Sequence, residues 1–367
     1  MNPTLSNISE EGDVYKFTLS GINVSLANAI RRTVLSDIPT LAFYTETHKD
    51  NHCDITINTS RLHNEILKHR LSCIPVHEKD LSVLPGNYVL ELDEKNETDN
   101  IMIVTTEHFR IRNKTNGNYL TKEEVRRIFP PHPKTNSFID FARLRPNIGD
   151  NIPGEQLKLT AEFSVHTAKD NSMYNVVSKC SYGNTVDFIK ANQIWDEHKV
   201  KLVADEMTKE EIDMQEQNFR ILDQQRHFIP DSFDFVVQTI GVFDNTEIVK
   251  KACIVLQNKM VDIVKSIDSD TIPILNSEST MDFCFDIILE NEDYTIGKVL
   301  EFILYERYYV TDKILTFCGF KKFHPHNQES TIRLAYVQNA DKRMVGQHLR
   351  IACIEASQIY EKIYKMF

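Results

Sequence analysis

Apolar and polar positions alternate along Tyr15-Lys-Phe-Thr-Leu19, which predicts a half-buried strand. After Gly21, Ser25 is placed as an N-cap. Leu26, Ala29, Ile30 and Val34 then recur at helical spacing until Pro39 stops the helix. Leu41 to Thr45 reads as a second strand, and Arg61 to Ser72 as a second helix ending before Pro75. From Glu78 to Pro153 charged patches mix with turn signals such as Asn116-Gly117 and the Pro130-Pro131-His-Pro133 cluster. Short strands and long loops are expected there. Leu157 to Val165 alternates again as a strand. Glu197 to Gln225 is polar and reads as a solvated helix or connector. Phe233 to Ile240 looks like a buried strand. Thr246 to Ile267 is a long amphipathic helix with Ile248, Ala252, Val255, Val264 and Ile267 near one face. Asp268 to Asp282 is the best linker in the chain. Beyond it, Phe283, Phe285, Ile287 and Leu289 alternate as a strand, a helix starts at Thr295, and Asp341 to Met366 closes the chain as a helix.

Two strand-then-helix units echo each other. Ser25-Leu-Ala-Asn-Ala-Ile30 and Thr295-Ile-Gly-Lys-Val-Leu300 both run hydroxyl, apolar, small, polar, apolar, apolar, at an offset of 270 (295 minus 25). Each half also ends in a long amphipathic helix. A strand-helix unit with one apolar face must bury that face. Two such units could bury theirs against each other about a pseudo-two-fold axis. On pattern alone, pairing and coincidence both stay open.

Composition narrows the class. The 367 residues allow two or three domains, and 41% hydrophobic residues support packed cores. The net charge of −11 disfavours a chain that grips nucleic-acid phosphates unaided. Seven widely spaced cysteines with no CxxC disfavour a disulfide framework or a cysteine-rich zinc site, and predict reduced, mostly buried thiols. Sequons start at Asn7, Asn23, Asn58, Asn96 and Asn113, but residues 1–20 lack a basic region followed by an apolar run, and no stretch approaches a membrane span. The sequons are therefore expected to be unused and the protein intracellular.

Val24-Ser-Leu-Ala-Asn-Ala-Ile-Arg-Arg-Thr-Val-Leu-Ser-Asp-Ile-Pro-Thr-Leu-Ala-Phe43 resembles the signature of the alpha-type subunit of cellular RNA polymerases, in the flavour of the third-largest subunit of eukaryotic RNA polymerase II and its archaeal counterpart. Asn58-Thr-Ser, His63-Asn-Glu65, His69-Arg-Leu-Ser-Cys-Ile-Pro75 and Phe233 to Gly241 extend the likeness. Glu292-Asp-Tyr-Thr-Ile-Gly297, Gly319-Phe320 and His324-Pro325 resemble the smaller partner, the eleventh subunit. Two chains that pair in cells are here one, an arrangement that suggests a large DNA virus of eukaryotes. A flexible linker of about 15 residues spans roughly 20 Å and makes the pairing intramolecular at roughly millimolar effective concentration.

The resemblance implies an α+β fold. An alpha-subunit-like assembly domain (1–45 and 226–270) would carry an inserted mostly-β domain (46–225). A smaller α/β-sandwich dimerisation module (271–367) would follow, giving a pseudo-two-fold intramolecular dimer. It implies a non-catalytic scaffold that docks the two largest polymerase subunits, which hold the catalytic magnesium, with small zinc-binding subunits nearby and DNA reached only through the complex. The setting would be a cytoplasmic viral factory and the virion, or otherwise the nucleus. Departures are noted. No Cys lies between Cys73 and Cys180, so no zinc is expected in the inserted domain and no cofactor elsewhere. Asn171-Ser-Met-Tyr174 replaces a family His-Ala-Lys-aromatic stretch. Tyr294 and Lys298 stand where His and Asn are usual, Asn64 where Asp is, and Ser72 where Gly is.

Asn28, Arg31 and Arg32 share a helix face at i, i+3 and i+4, and paired arginines can fork onto a partner's carboxylates or carbonyls. The competing reading is two solvated arginines with Asp37 as a local ion partner. With the resemblance, these three and His69 with Arg70 are expected at the subunit interface. Leu26, Ile30, Val34, Ile296, Leu300 and Ile303 are expected at the pseudo-dimer interface. His69 with Cys73, and His324 with His326, are tempting metal pairs, but two ligands do not make a site. No GxSxG, HExxH or Walker-type motif occurs. An independent metal-dependent hydrolase drawing on the thirteen histidines is the alternative class, and autonomous DNA binding a third.

Overall fold

A computed structural model describes residues 1–46, 50–149 and 151–367. Along the chain come β1 (Thr4–Glu11), β2 (Val14–Ser20), α1 (Val24–Ser36), β3 (Thr40–Ala42), β4 (Cys53–Asn58), α2 (Asn64–Ser72), β5 (Tyr88–Lys95) and β6 (Met102–Thr105). Next are β7 (Arg110–Asn113), α3 (Lys122–Ile128), β8 (Asp140–Leu144), β9 (Gln156–Glu162), β10 (Ser164–His166), β11 (Val177–Val186), α4 (Phe188–Ala204) and α5 (Lys209–Asn218). The last are β12 (Phe228–Thr239), α6 (Asn245–Asp268), β13 (Ile274–Asn276), β14 (Cys284–Glu290), α7 (Tyr294–Leu304), β15 (Leu315–Lys321), β16 (Glu329–Tyr336) and α8 (Lys342–Tyr364). The chain is thus mixed, with helices beside antiparallel sheets. It divides into two compact units: Met1–Val34, Lys179–Gln238 and Asn245–Phe367 in one, Leu35–Ser178 and Thr239–Asp244 in the other.

The first unit holds two antiparallel sheets, in the orders β1-β2-β12-β11 and β13-β14-β16-β15. Alternation puts Tyr15, Phe17 and Leu19 on the buried face of β2, and register sets Phe17 opposite Phe235 of β12, where the rings stack at 5.0 Å. Gly21 turns the chain from β2 into α1 at φ +74°, and a Cβ there would lie 2.4 Å from the Asn2 carbonyl oxygen, so no other residue fits. In the second sheet β14 and β16 pair Asp286 with Arg333, whose guanidinium donates twice to the carboxylate at 2.7 Å.

The two long helices pack on each other. α6 buries Ile248, Val249, Ala252, Cys253, Leu256, Met260 and Ile263. Val255, Val264 and Ile267, placed on its apolar face by spacing, are only half-buried and flank that stripe. α8 buries Val345, Leu349, Ile359 and Ile363 together with the small residues Gly346, Ala352, Cys353 and Ala356. Polar contacts rim the pair: Arg350 Nε donates to Asp268 Oδ1 at 3.1 Å, and Lys250 Nζ sits 5.9 Å from the Tyr364 ring centre. Past α8, the Phe367 ring meets Phe17 edge-on at 5.0 Å and Tyr15 at 6.3 Å. Lys362 Nζ donates to the Met1 carbonyl oxygen at 3.1 Å. The last residues of the chain are thereby fastened to the first.

Two expectations need correction here. Residues 268–282 are not a free linker: Pro273 is followed by β13, which pairs Ile274 with Ile287 of β14. The stretch 197–225 is more than a solvated connector. Trp195, Leu202, Ile212 and Phe219 close a small core of their own, and residues 179–225 group with the first unit rather than with the 46–225 insert.

The second unit contains the sheet β4-β9-β5-β7, and two-stranded pairs β6-β8 and β10-β3. Its core gathers Leu67 and Leu71 from α2, Leu90 and Leu92 from β5, Leu157 and Leu159 from β9, and the rings of Phe43, Phe109, Phe129, Phe141 and Phe163. Asn96, a sequon residue, is 1% exposed and donates to the Asn100 and Leu144 carbonyls, so no glycan can reach it in the folded chain. Residues 47–49 and 150 of the expected insert lie outside the described residues.

Replacing Phe367 by Ala is expected to cost about 1–2 kcal/mol, less than for a fully buried Phe because the ring is half-buried. Urea denaturation followed by circular dichroism measures it; an unchanged midpoint would mean that the last residue does not dock on β2.

Candidate functional site

The echo between the two halves reaches further than the hydroxyl residues. α1 starts at Val24, and its cap is Asn23, whose Oδ1 accepts the Ser25 N–H at 2.8 Å. α7 starts at Tyr294, and its cap is Asp293, whose Oδ1 accepts the Thr295 N–H at 2.7 Å. Ser25 and Thr295, read as caps from sequence, are instead the second residues of their helices. The polar side chain one residue ahead of each helix takes the orphan N–H, as helix termini require. The offset of 270 is kept, since 293 minus 23 equals 295 minus 25.

Arg32, two turns into α1, reaches the start of α7. Its Nη2 meets Asp293 Oδ2 at 2.7 Å, and its Nε donates to Thr295 Oγ1 at 2.8 Å. Asp293 therefore caps α7 with one oxygen and holds an arginine of α1 with the other. With side chains 37% and 28% exposed, the pair is partly shielded from solvent, where a charge-assisted contact is worth more than at the open surface. Arg32, expected at the subunit interface, is thus engaged within the chain through Nε and Nη2.

Arg31 is placed differently. Its Nε donates to Asn28 Oδ1 at 2.9 Å, one turn back on α1. Both residues are half-buried. Across from them on β11, burial pushes the Cys180 thiol up to about 12 and raises Tyr182, while the Arg31 charge pulls both back down. The Arg31 guanidinium thus lies close to that strand, oriented by Asn28, with its terminal nitrogens unclaimed by any acceptor among the described residues.

His69 and Arg70 lie on α2 in the other unit. Both are exposed, and Arg70 Nη2 donates to the Asp140 carbonyl of β8 at 2.6 Å, so part of that cation is also used internally. The expected pairing residues Leu26, Ile30, Val34, Ile296, Leu300 and Ile303 are each at most 2% exposed. A polar contact through Arg32 links their helices and was not read from the sequence; Asp293, two residues ahead of Thr295, was its signal.

Among the described residues no three His, Cys, Asp or Glu side chains come together in a group that could hold a metal ion. The rings of His324 and His326 lie 5.1 Å apart in an exposed turn, and Cys73 is exposed beside His69. All seven cysteines are free thiols. No helix among the described residues is long and apolar enough to cross a membrane.

The model of the RNA polymerase Rpb3/Rpb11 dimerisation domain matches residues 16–260, from β2 to within α6. The chain belongs to this family. Similar proteins include DNA-directed RNA polymerase subunit Rpo3 of Thermococcus kodakarensis, 39% identical over 75 residues, which are 20% of this chain and 26% of that one. DNA-directed RNA polymerases IV and V subunit 3B of Arabidopsis thaliana is 25% identical over 223 residues, 56% of this chain and 66% of its own. DNA-directed RNA polymerase II subunit RPB3 of Schizosaccharomyces pombe is 34% identical over 82 residues, 22% and 25%. The chain spans from a quarter to just under two thirds of the length of these relatives.

Two outcomes are expected. In a double-mutant cycle, Arg32→Ala and Asp293→Ala couple by about 0.5–1.5 kcal/mol, and the coupling shrinks in high salt; a coupling of zero would show the pair to be idle. With a disulfide-exchange reagent at pH 8, Cys73 reacts fast. Cys53, held up at about 11, and Cys180, Cys253 and Cys353, held up at about 12, stay protonated and slow. Rapid modification of more than two thiols in the native chain would contradict this burial.

Proposed function

We propose that this chain is a non-catalytic assembly subunit of a multisubunit DNA-dependent RNA polymerase, on which the two largest subunits dock. The single observation that carries this reading is the family match over residues 16–260. The relatives named above are polymerase subunits by description, and the geometry agrees with a structural role. The long amphipathic helices α6 and α8 pack on each other, and Arg32 of the signature helix is engaged at the start of α7.

In this reading the first unit behaves as two partner-like modules joined in one polypeptide and related by a pseudo-two-fold axis, with residues 35–178 as the insert. Arg31, oriented by Asn28, is the cation of the signature helix left to meet a large subunit, and His69 with the remaining face of Arg70 forms a second contact. Catalytic magnesium belongs to the large subunits, zinc to small subunits attached nearby, and DNA is reached through the complex, in keeping with the charge of −11. The joined arrangement suits the transcription apparatus of a large DNA virus of eukaryotes, acting in a cytoplasmic factory and carried in the virion.

The test separates the two arginines. Affinity purification of the tagged chain from cells that express the large subunits is expected to recover both. Arg31→Glu is expected to lower their recovery about tenfold, equivalent to ~1.4 kcal/mol, with unchanged thermal melting. Arg32→Glu is expected to lower the melting temperature first. Absence of any large polymerase subunit from the wild-type preparation would overturn the reading, and equal recovery with Arg31→Glu would remove that residue from the interface.

A further inference from the structure

One titratable cluster lies apart from the contacts described above. α7 continues through Tyr305–Thr311 in wider, π-type turns, a local geometry that recurs at functional positions. These turns carry the Tyr308 ring onto His348 of α8, where the two rings stack with centres 4.1 Å apart. The Tyr336 ring of β16 lies 5.7 Å from the same imidazole, and the Tyr336 hydroxyl is bonded to His348 Nδ1 at 2.9 Å. Both tyrosines are buried, and His348 is half-buried. One imidazole thus ties α8 to β16 and to the turns that follow α7.

The bond to Nδ1 has a direction. Burial raises Tyr336, so its hydroxyl keeps its proton. Among the described residues that proton meets no acceptor other than His348. A neutral imidazole can accept it on Nδ1 and carry its own proton on Nε2. An imidazolium carries a proton on both nitrogens and cannot accept. Protonation of His348 therefore leaves the Tyr336 proton unpaired, in a residue only 3% exposed.

The neighbouring groups set the balance. Burial is the largest influence on His348 and lowers it; the Asp312 carboxylate pulls it back up, and the Arg307 cation pushes it down. Arg307 Nη1 in turn meets Glu355 Oε2 of α8 at 3.5 Å. Tyr308 is raised by burial and Cys318, close to Tyr336, is held up at about 12 by burial, so both stay neutral. The folded chain binds the His348 proton less readily than the unfolded chain. Its contribution to stability is then complete above about pH 6.5 and is lost as the pH falls from there through the lowered value.

We propose that His348 is an acid-released latch. Neutral, it fastens α8 to β16 and to the turns after α7; protonated, it gives up the Tyr336 hydroxyl and loosens α8 from its own sheet. α8 is also the helix that packs on α6, so the hold between those two helices becomes pH-dependent. The latch lies within residues 305–355 and does not rest on the polymerase reading.

Thermal melting of the full chain at about pH 7.5 and about pH 5 tests it. The wild type is expected to lose more in acid than His348→Asn, by up to about 5 °C per pH unit, the limit for one proton. The Asn Oδ1 stands where Nδ1 does and can accept from the same hydroxyl, but it does not titrate. Histidine-selective NMR gives a measurement that does not depend on a variant's stability. The imidazole signal missing from His348→Asn is expected to titrate below 6.5 in the wild type. Tyr336→Phe is expected to move that titration upward, since no hydroxyl proton then claims Nδ1; a ring that only fills space would not respond in this way. Equal losses in acid by the wild type and His348→Asn, a wild-type His348 titrating at or above 6.5, or a titration unmoved or lowered by Tyr336→Phe would each overturn the proposal.

Discussion

The first unit depends on the burial of α6 against α8. Each of these helices carries a continuous apolar stripe that its own short sheet cannot cover on both sides. Small side chains decide how well the two fit. Both stripes mix small and large residues, Gly346, Ala352, Cys353 and Ala356 beside Leu349 and Ile359 on α8, and Ala252 and Cys253 beside Leu256, Met260 and Ile263 on α6. Fully burying one such aliphatic side chain contributes about 1.5–3 kcal/mol, so a few of them outweigh any of the surface ion pairs described. The hydrophobic pair supplies the stability. The rim contacts and the Arg32–Asp293 pair fix which arrangement is stabilised.

That second role explains Arg32 on a helix whose other face is apolar. Leu26, Ile30 and Val34 would accept many packings. A guanidinium that must reach both a carboxylate and a hydroxyl at the start of α7 accepts few. Asp293 is economical in this respect, since one carboxylate terminates a helix and orients another at the same time.

Much of this architecture was legible in the sequence, because period-2 and period-3.6 patterns report burial directly. β2, β12, β14, α6 and α8 all announce themselves that way, and the 270-residue echo pointed to two related strand-helix units. What stayed hidden depended on partners distant in the chain. Arg32 looked like a free cation because Asp293 is 261 residues away. Residues 268–282 looked like a linker because β13 is three residues long and is ordered only by pairing with β14. The stretch 197–225 looked merely solvated because the small core that Leu202, Ile212 and Phe219 share with Trp195 forms only when helices and turn come together. The cap assignments slipped by two residues because Ser25 and Thr295 have good cap chemistry, while the true caps, Asn23 and Asp293, stand just ahead of the two helices.

The docking of Phe367 and the bond from Lys362 to Met1 bring the beginning and the end of this polypeptide to one place. Between α6 and β13 the chain makes an exposed turn, with Asp270 at φ 55° and the Thr271 and Ile272 N–H groups donating to the Ser266 carbonyl. Which peptide bond is left open hardly matters to such packing. A permuted molecule, sealed where the ends meet and opened after Asp270, would present the same side chains to one another. Covalent order is in that sense a convenience of synthesis, and three-dimensional order is carried by the helix pair.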